Sequence, residues 1–289
     1  MSLNANLIKE LREKSGAGIV DCKNALLQND NDIEKSIDWL RKKGLSVAAK
    51  KSGRIAAEGL VGVHIDNNQA CLIEINSETD FVSRNEQFQK FVNDCSKIAT
   101  TTDGDLDSLL KSKFFESDNT VEDELTKNIA TIGENLNIRR LEKITLDGPG
   151  SIVSYVHNSV SENLGKIAVI LSLKSNANQN SLESIGKKIA MHIAASNPLA
   201  INKDGIKKEI IDKELEIIKA EITNSGKPAE MAEKISKGKI SKFINDNTLL
   251  NQIWIMDPKK KVSDILKENK VDKEIKILDF IRYKVGEGV

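Results

Sequence analysis

Twice along this 289-residue chain the hydrophobic period switches from two to 3.6 in the same order, and that repeat limits the folds open to it. From Gly59, GLVGVHIDNNQACLIEIN alternates and then runs apolar around Asp66-Asn67-Asn68, a sequence suited to a tight turn. It predicts a β-hairpin. Phe88, Phe91, Val92, Ile98 and Ala99 then hold a helical face, with Ser83 or Asn85 placed to cap it. About ninety residues on, GSIVSYVHNSVSENLGKIAVILSLKS predicts a second hairpin and SLESIGKKIAMHIAAS a second helix. IGENLNIRRLEKITL supplies a helix end and another strand, and LDFIRYKV an edge strand. The chain is therefore expected to be α+β, with two duplicated subdomains built on antiparallel sheets.

Helical units flank and interrupt that frame. Leu3, Leu7, Ile8 and Leu11 keep a helical period up to Ser15-Gly16-Ala17-Gly18, where glycines permit a reversal. Asp21 leads a second helix through Ala25, Leu26 and Leu27; Asn29-Asp30-Asn31-Asp32 breaks it and caps a third carrying Ile33, Ile37, Trp39 and Leu40. Three such helices resemble a ubiquitin-associated-type bundle. RKKGLSVAAKKSGRIAAEG, residues 41–59, reads as a basic patch for an acidic partner or, favoured for so short a run, as a solvated linker helix. In residues 202–247, IKKEIIDKELEIIKAEI keeps an apolar seam, SGKP interrupts, and PAEMAEKISKGKISKFI resumes with Pro228 at a first-turn position. This antiparallel helical hairpin would reach about 25–30 Å at roughly 1.5 Å per residue, as a docking arm or as an ordinary packed pair. The expected division is 1–54 bundle, 55–140 first core subdomain, 141–201 first part of the second, 202–247 hairpin and 248–289 the remainder of the second.

Composition excludes several functions. Lys plus Arg and Asp plus Glu stand at 43 each, so bulk charge steers the chain toward neither nucleic acid nor an anionic membrane. Any role in a nucleic-acid process is expected to run through another protein. No apolar run is long enough to span a bilayer, and MSLNANLIKELREK lacks a signal-peptide core, so a cytoplasmic location is expected. P-loop, C-x-x-C, H-E-x-x-H and G-x-S-x-G patterns are all missing, and Gly16-Ala17-Gly18 follows a helix rather than a strand, which marks a turn rather than a phosphate loop. Cys22, Cys71 and Cys95 are expected to be buried thiols, neither disulfide-bonded nor paired with His64, His157 or His192 as nucleophiles. His192 is expected to pack within its helix and His157 to be a surface contact at a hairpin tip. No enzymatic activity, cofactor or metal of the chain's own is expected.

One stretch stands outside the repeated frame. INSETDFVSRNEQF sets Asp80 beside Phe81 and Val82 at a strand end, where the second copy has SNANQNS and no aromatic. The tip is thus an addition to the repeated frame, which weakens any claim that folding needs it.

With LIKELREKSGAGIVDCKNAL, AAEGLV, INSETDFVSRNEQF, IGENLNIRR, IAMHIAAS, SGKP and FIRYKVGEG spread from end to end, the chain resembles the elongation factor Ts family. The resemblance implies a guanine-nucleotide exchange factor that binds elongation factor Tu and promotes GDP release during translation elongation. It implies that Thr79, Asp80, Phe81 and Val82 form the active tip. Phe81 would enter a hydrophobic gap between helices of the partner's nucleotide-binding domain while Asp80 engages the adjoining region, disturbing the partner's Mg²⁺ environment and phosphate loop. Further partner contacts are implied at Lys23, Ile132 and His157, and the helical hairpin would be a projecting coiled coil touching another domain. Many family members continue past VGEG with a terminal helix, whereas the sequence stops here at Val289; either that contact is absent or the sequence is truncated, and weaker binding is the expectation. The rival expectation is an adaptor that binds proteins through bundle and arm with no effect on nucleotide. A homodimer or a 2:2 assembly with the partner is left open.

Overall fold

The computed structural model of the protein describes residues 5–15, 17–115, 117–224, 229–269 and 273–289. Leu3, Gly16 and the SGKP segment with Pro228 lie outside the described residues. In chain order the elements are α1 (Ala5–Ser15), α2 (Ile19–Gln28), α3 (Ile33–Lys51), β1 (Glu58–Asp66) and β2 (Gln69–Ser77). A 3₁₀ turn (Asp80–Arg84) then leads to α4 (Glu86–Thr101), α5 (Leu106–Lys111), α6 (Val121–Ile132) and β3 (Leu136–Thr145). β4 (Gly150–Ser161), β5 (Leu164–Lys174), α7 (Gln179–Ser196), α8 (Lys208–Asn224), α9 (Ala229–Asn247), α10 (Val262–Glu268) and β6 (Lys276–Lys284) complete the chain. The class is α+β. With six and seven residues, α5 and α10 are too short to establish a helical period in the sequence.

The N-terminal helices close on Leu11, Cys22, Ala25 and Leu26, all fully buried, with Leu7, Ile8, Ile33, Ile37 and Leu40 packed around them. Asp30 and Asn31 reverse the chain between α2 and α3 at positive φ, a region these short polar residues tolerate. Asp32 then caps α3 by accepting the Lys35 amide.

The six named strands pair antiparallel throughout, in the order β3-β2-β1-β5-β4, with β6 also on β5. The two hairpins predicted by alternation form, the first turning at Asn67 with φ 52°. Their sheets are not separate, however. β1 meets β5 at Val61↔Gly165 and Gly62↔Leu164, and from Ile167 onward β6 takes over the same side of β5. The inner faces of the two three-stranded halves then pack on each other, Val61, Val63, Leu72 and Ile144 against Ile152, Ala168, Ile170 and Ile281. Their outer faces are covered by helices. Ile73, Ile75 and Ile138 lie under Phe88, Phe91 and Val92 of α4, and Val153, Leu171 and Leu173 under Leu182, Ile185 and Ile189 of α7. Alternate residues of one strand thus serve different cores, which is why these strands read as almost unbroken apolar runs.

A carboxylate interrupts the inner face. Glu74 on β2, fully buried, accepts from Arg140 Nε at 2.6 Å, Arg139 Nη1 at 3.1 Å, Asn76 Nδ2 at 3.0 Å and the Gly286 amide at 2.8 Å. Burial alone would raise its pKa, but the bonds from Asn76, Gly286 and Arg140 outweigh it and hold the carboxyl below the usual glutamate range. The C-terminal turn is thereby fixed to β2 and β3. Gly286 is required there, since its φ is 72° and a Cβ would stand 2.3 Å from the Ala57 carbonyl oxygen.

The basic run after the bundle is helical and largely exposed, but one face of it is docked. α3 continues through it to Lys51 and docks on α6, with Arg41 2.6 Å from Asp123 and Ala48 packed against the first helical core. A Cβ at Gly44 would lie 3.7 Å from that of Ala130, so the two helices approach closely.

In the arm, Ile218 and Ile222 of α8 are buried, and Lys239 of α9 pairs with Glu221 of α8 at 2.6 Å. Its base is held by His192, which is fully buried and stacked on Trp254 with centroids 5.2 Å apart. His192 Nδ1 accepts the Ile255 amide, so Nε2 carries the proton and donates to Gln252 Oε1 at 3.0 Å. Gln252 Nε2 donates onward to the carbonyls of Asp246 and Ser196, tying the end of α9 to the end of α7.

Burial depresses the His192 pKa below 6.5, against a smaller opposing effect of the Gln252 bond. A depressed histidine favours the neutral folded form, so its stabilisation is present above the unfolded pKa and lost as pH falls below about 6.5. The melting temperature should therefore drop more between about pH 7.5 and 5.5 in the parent than in His192→Gln. His64, also depressed by burial, is common to both proteins and cancels. Equal drops would place the dependence elsewhere. A second expectation concerns Glu74→Ala, which strands two guanidiniums at the inter-sheet face. Chemical denaturation should show a loss of about 3 kcal/mol, at the low end for a broken buried pair because both arginines are partly exposed.

Candidate functional site

The chain leaves β2 at Ser77 and forms the short turn Asp80–Arg84 before α4 begins. The far side of that turn is anchored inward. Val82 is 6% exposed and belongs to the core beneath α4, the Ser83 hydroxyl donates to the Asp80 carbonyl, and the Asn85 side chain caps α4 by accepting the Phe88 amide at 3.0 Å. Asn85, rather than Ser83, is thus the cap. Between these anchors Asp80 and Phe81 face solvent. The Phe81 ring is 76% exposed, the most exposed aromatic side chain among the described residues.

The near side is anchored by Thr79. Its amide donates to Glu134 Oε2 at 2.9 Å, its hydroxyl to Glu134 Oε1 at 2.6 Å, and its carbonyl accepts the Ser77 hydroxyl at 2.9 Å. The polar groups of Thr79 are engaged within the chain, and Val82 is almost wholly buried. Both help to build the frame that presents Asp80 and Phe81. The flanking Thr79 and Val82 turn inward while the acid and the ring between them turn outward.

Ile132 ends α6, half-buried against the same core and two residues before Glu134, so the structure brings it to the base of the tip. Lys23 is exposed on α2, and His157 is exposed on β4 with Nδ1 3.0 Å from the Tyr155 hydroxyl. These two belong to other elements than the tip. Glu78, Glu134, Asn135 and Arg54, which hold its base, were not legible as a group. The quoted segments INSETDFV and IGENLN contain three of them, but nothing in either segment pairs residues 55 positions apart.

The remaining reactive side chains are quiet. The three cysteines are buried, and burial pushes the Cys71 thiol up to about 12 and Cys95 well above its ordinary value, which keeps both protonated. Among the described residues no three His, Cys, Asp or Glu side chains are grouped to hold a metal, and no helix is long and apolar enough to cross a membrane.

Fold and site together define a layered α+β scaffold that holds a bare ring and a carboxylate on an anchored turn, with a helical bundle and a helical arm attached. The chain belongs to the elongation factor Ts family. The family model described as Elongation factor TS matches residues 78–287. Elongation factor Ts of Sphingopyxis alaskensis is 46% identical over 290 aligned positions, covering 99% of this chain and 94% of that protein. The proteins of the same name from Methylobacterium radiotolerans and Xanthobacter autotrophicus are 45% and 46% identical, each over 100% of this chain and over 93% and 94% of their own lengths.

The tip's two faces should separate in a stability measurement. Val82→Ala removes buried methyl groups and should lower unfolding free energy by about 2 kcal/mol. Phe81→Ala removes an exposed ring and should change it by less than about 0.5 kcal/mol. Comparable losses at both positions would show that the ring contributes to the fold.

Proposed function

We propose that this chain is a guanine-nucleotide exchange factor for elongation factor Tu in translation elongation, and that Asp80 and Phe81 act as its wedge. Family membership supports the partner and the class of action. An exchange factor makes and breaks no covalent bond. It must bind the nucleotide-free partner better than the GDP-bound one, and that difference is its whole driving force. The effect is mutual: by whatever factor the protein weakens GDP, GDP weakens the protein.

The observation that carries this reading is the exposed Phe81 ring on a turn whose neighbours are fixed. A ring of this kind gains burial only in a partner conformation that has an open apolar gap. With about three-quarters of its surface still to be covered, it can contribute about 1–2 kcal/mol to the coupling, roughly 5- to 30-fold. Asp80 beside it acts on the region of the partner that holds Mg²⁺ and the phosphates. The Mg–GDP belongs to the partner; this chain holds no cofactor or metal and performs no covalent catalysis. Lys23, Ile132 and His157 add contacts, and the α8–α9 arm reaches a further domain. In this reading the bundle of residues 1–54 is a ubiquitin-associated-like docking module. The core divides into 55–140 and a second subdomain of 141–201 with 248–289, and the arm is residues 202–247. A cytoplasmic location goes with this role.

Stopped-flow release of fluorescent GDP from purified elongation factor Tu tests the wedge. Phe81→Ala should slow stimulated release roughly 5- to 30-fold, and an unchanged rate would remove the ring from the mechanism. Asp80→Ala should alter how stimulation depends on Mg²⁺; an identical dependence counts against its part. A parent chain that holds the partner without accelerating release would instead be an adaptor.

A further inference from the structure

Residues 78–79 and 134–135 exchange amides for carboxylates in both directions. Glu134 accepts the Thr79 amide at 2.9 Å, and Glu78 accepts the Asn135 amide at 2.6 Å. Each carboxylate has a second donor, the Thr79 hydroxyl at 2.6 Å for Glu134 and the Arg54 guanidinium at 3.3 Å for Glu78. The Asn135 amide and Arg54 hold the Glu78 carboxyl below the usual range, against the effect of burial. The end of α3 closes the ring of contacts: Asn135 Nδ2 donates to the Arg54 carbonyl at 2.8 Å and the Lys51 ammonium to the Gly133 carbonyl. Thr79 occupies the N-cap position of the Asp80–Arg84 turn, where a threonine hydroxyl ordinarily accepts an amide from the turn itself. Here it caps nothing and is donated across to Glu134 instead. The turn is thus oriented from outside, by the segment that joins α6 to β3 and by the end of α3, rather than by its own cap.

We propose that Glu134, with Glu78 as its reciprocal partner, is a positioning residue for nucleotide release: the brace fixes the direction in which the Phe81 ring leaves the body, and touches neither the partner nor its ligand. This rests on the wedge reading of Phe81. Charge-assisted bonds to a carboxylate are short and directional, so two of them on one residue fix both the position and the rotation of Thr79. The adjoining Asp80–Phe81 peptide inherits that orientation. The C-terminal end of α3 and the tip base share the ring of contacts, so the tip is referenced to that helix and to the segment after α6.

The test measures stimulated GDP release at increasing concentrations of the full-length chain for the parent, Glu134→Ala, Glu134→Gln, Phe81→Ala and the Glu134→Ala/Phe81→Ala double variant. Glu134→Ala is expected to lower the maximal release rate roughly tenfold, the loss typical of a misplaced group, while the half-saturating concentration stays close to that of the parent. Glu134→Gln, which keeps an acceptor but not the charge, should lose roughly threefold. The double variant should lose no more than Phe81→Ala alone, because Glu134 acts through the ring. In the absence of partner, amide hydrogen exchange at residues 79–82 should accelerate in Glu134→Ala while exchange in β1 and β2 is unchanged. Additive losses in the double variant, or a parent-like maximal rate in both Glu134 variants, overturn the positioning role. Should Glu134→Ala fold poorly, Glu134→Gln carries the same comparison. If Phe81→Ala alone releases GDP at the parent rate, the wedge itself is wrong; if only Phe81→Ala is slow, the brace is.

Discussion

The buried Glu74 carboxylate is the contact on which the arrangement of the core turns. It sits at 0% exposure where the two half-sheets face each other, and it binds residues from β2, β3 and the C-terminal turn at once. Removing a carboxylate from water is costly, and the gain is recovered only when its lone pairs are well filled. Four donors fill them here. Arg140 also lies over the Tyr283 ring at 4.1 Å, and the Tyr283 hydroxyl donates to Glu142 at 2.9 Å. Because β1 and β5 share so short a ladder, this polar cluster and the apolar layer beside it set how one half sits on the other. Apolar packing alone would tolerate sliding; directional bonds to a single carboxylate do not.

The hairpins were legible because period-two alternation and the Asn67-Asn68 turn are local signals, and α7 was legible from its apolar stripe. What joins the halves was not. Val61↔Gly165 pairs residues about a hundred positions apart, and no property of either marks the other. The docked face of the basic run after the bundle was hidden for a related reason. Lysines on a helix report its solvent side, whereas Gly44 and Ala48, which face α6 and the core, are too small to mark an apolar face when read alone. At the tip the sequence marked Asp80 and Phe81 by their oddity in a chain poor in aromatics. It could not separate them from Thr79 and Val82, since direction in a 3₁₀ turn follows from what packs beneath it.

The tip combines two demands that ordinarily conflict. An exposed phenylalanine on a loose loop would collapse onto the nearest apolar surface, and holding it out requires a backbone with no freedom to bring it back. Buried Val82 on one side and the doubly bonded Thr79 on the other remove that freedom. The ordering of the chain at this point is completed during folding, so little conformational entropy remains to be lost when a partner arrives.

The unbroken run of α3 has a geometric consequence. One end of this 19-residue helix is packed into the bundle and the other, through Lys51 and through Arg54 just beyond it, meets the segments that flank the protruding ring. Bundle and ring are therefore the two jaws of a calliper set at a single gauge. A visitor that matches that gauge engages both in one encounter, and one that does not can satisfy either jaw only by forgoing the other.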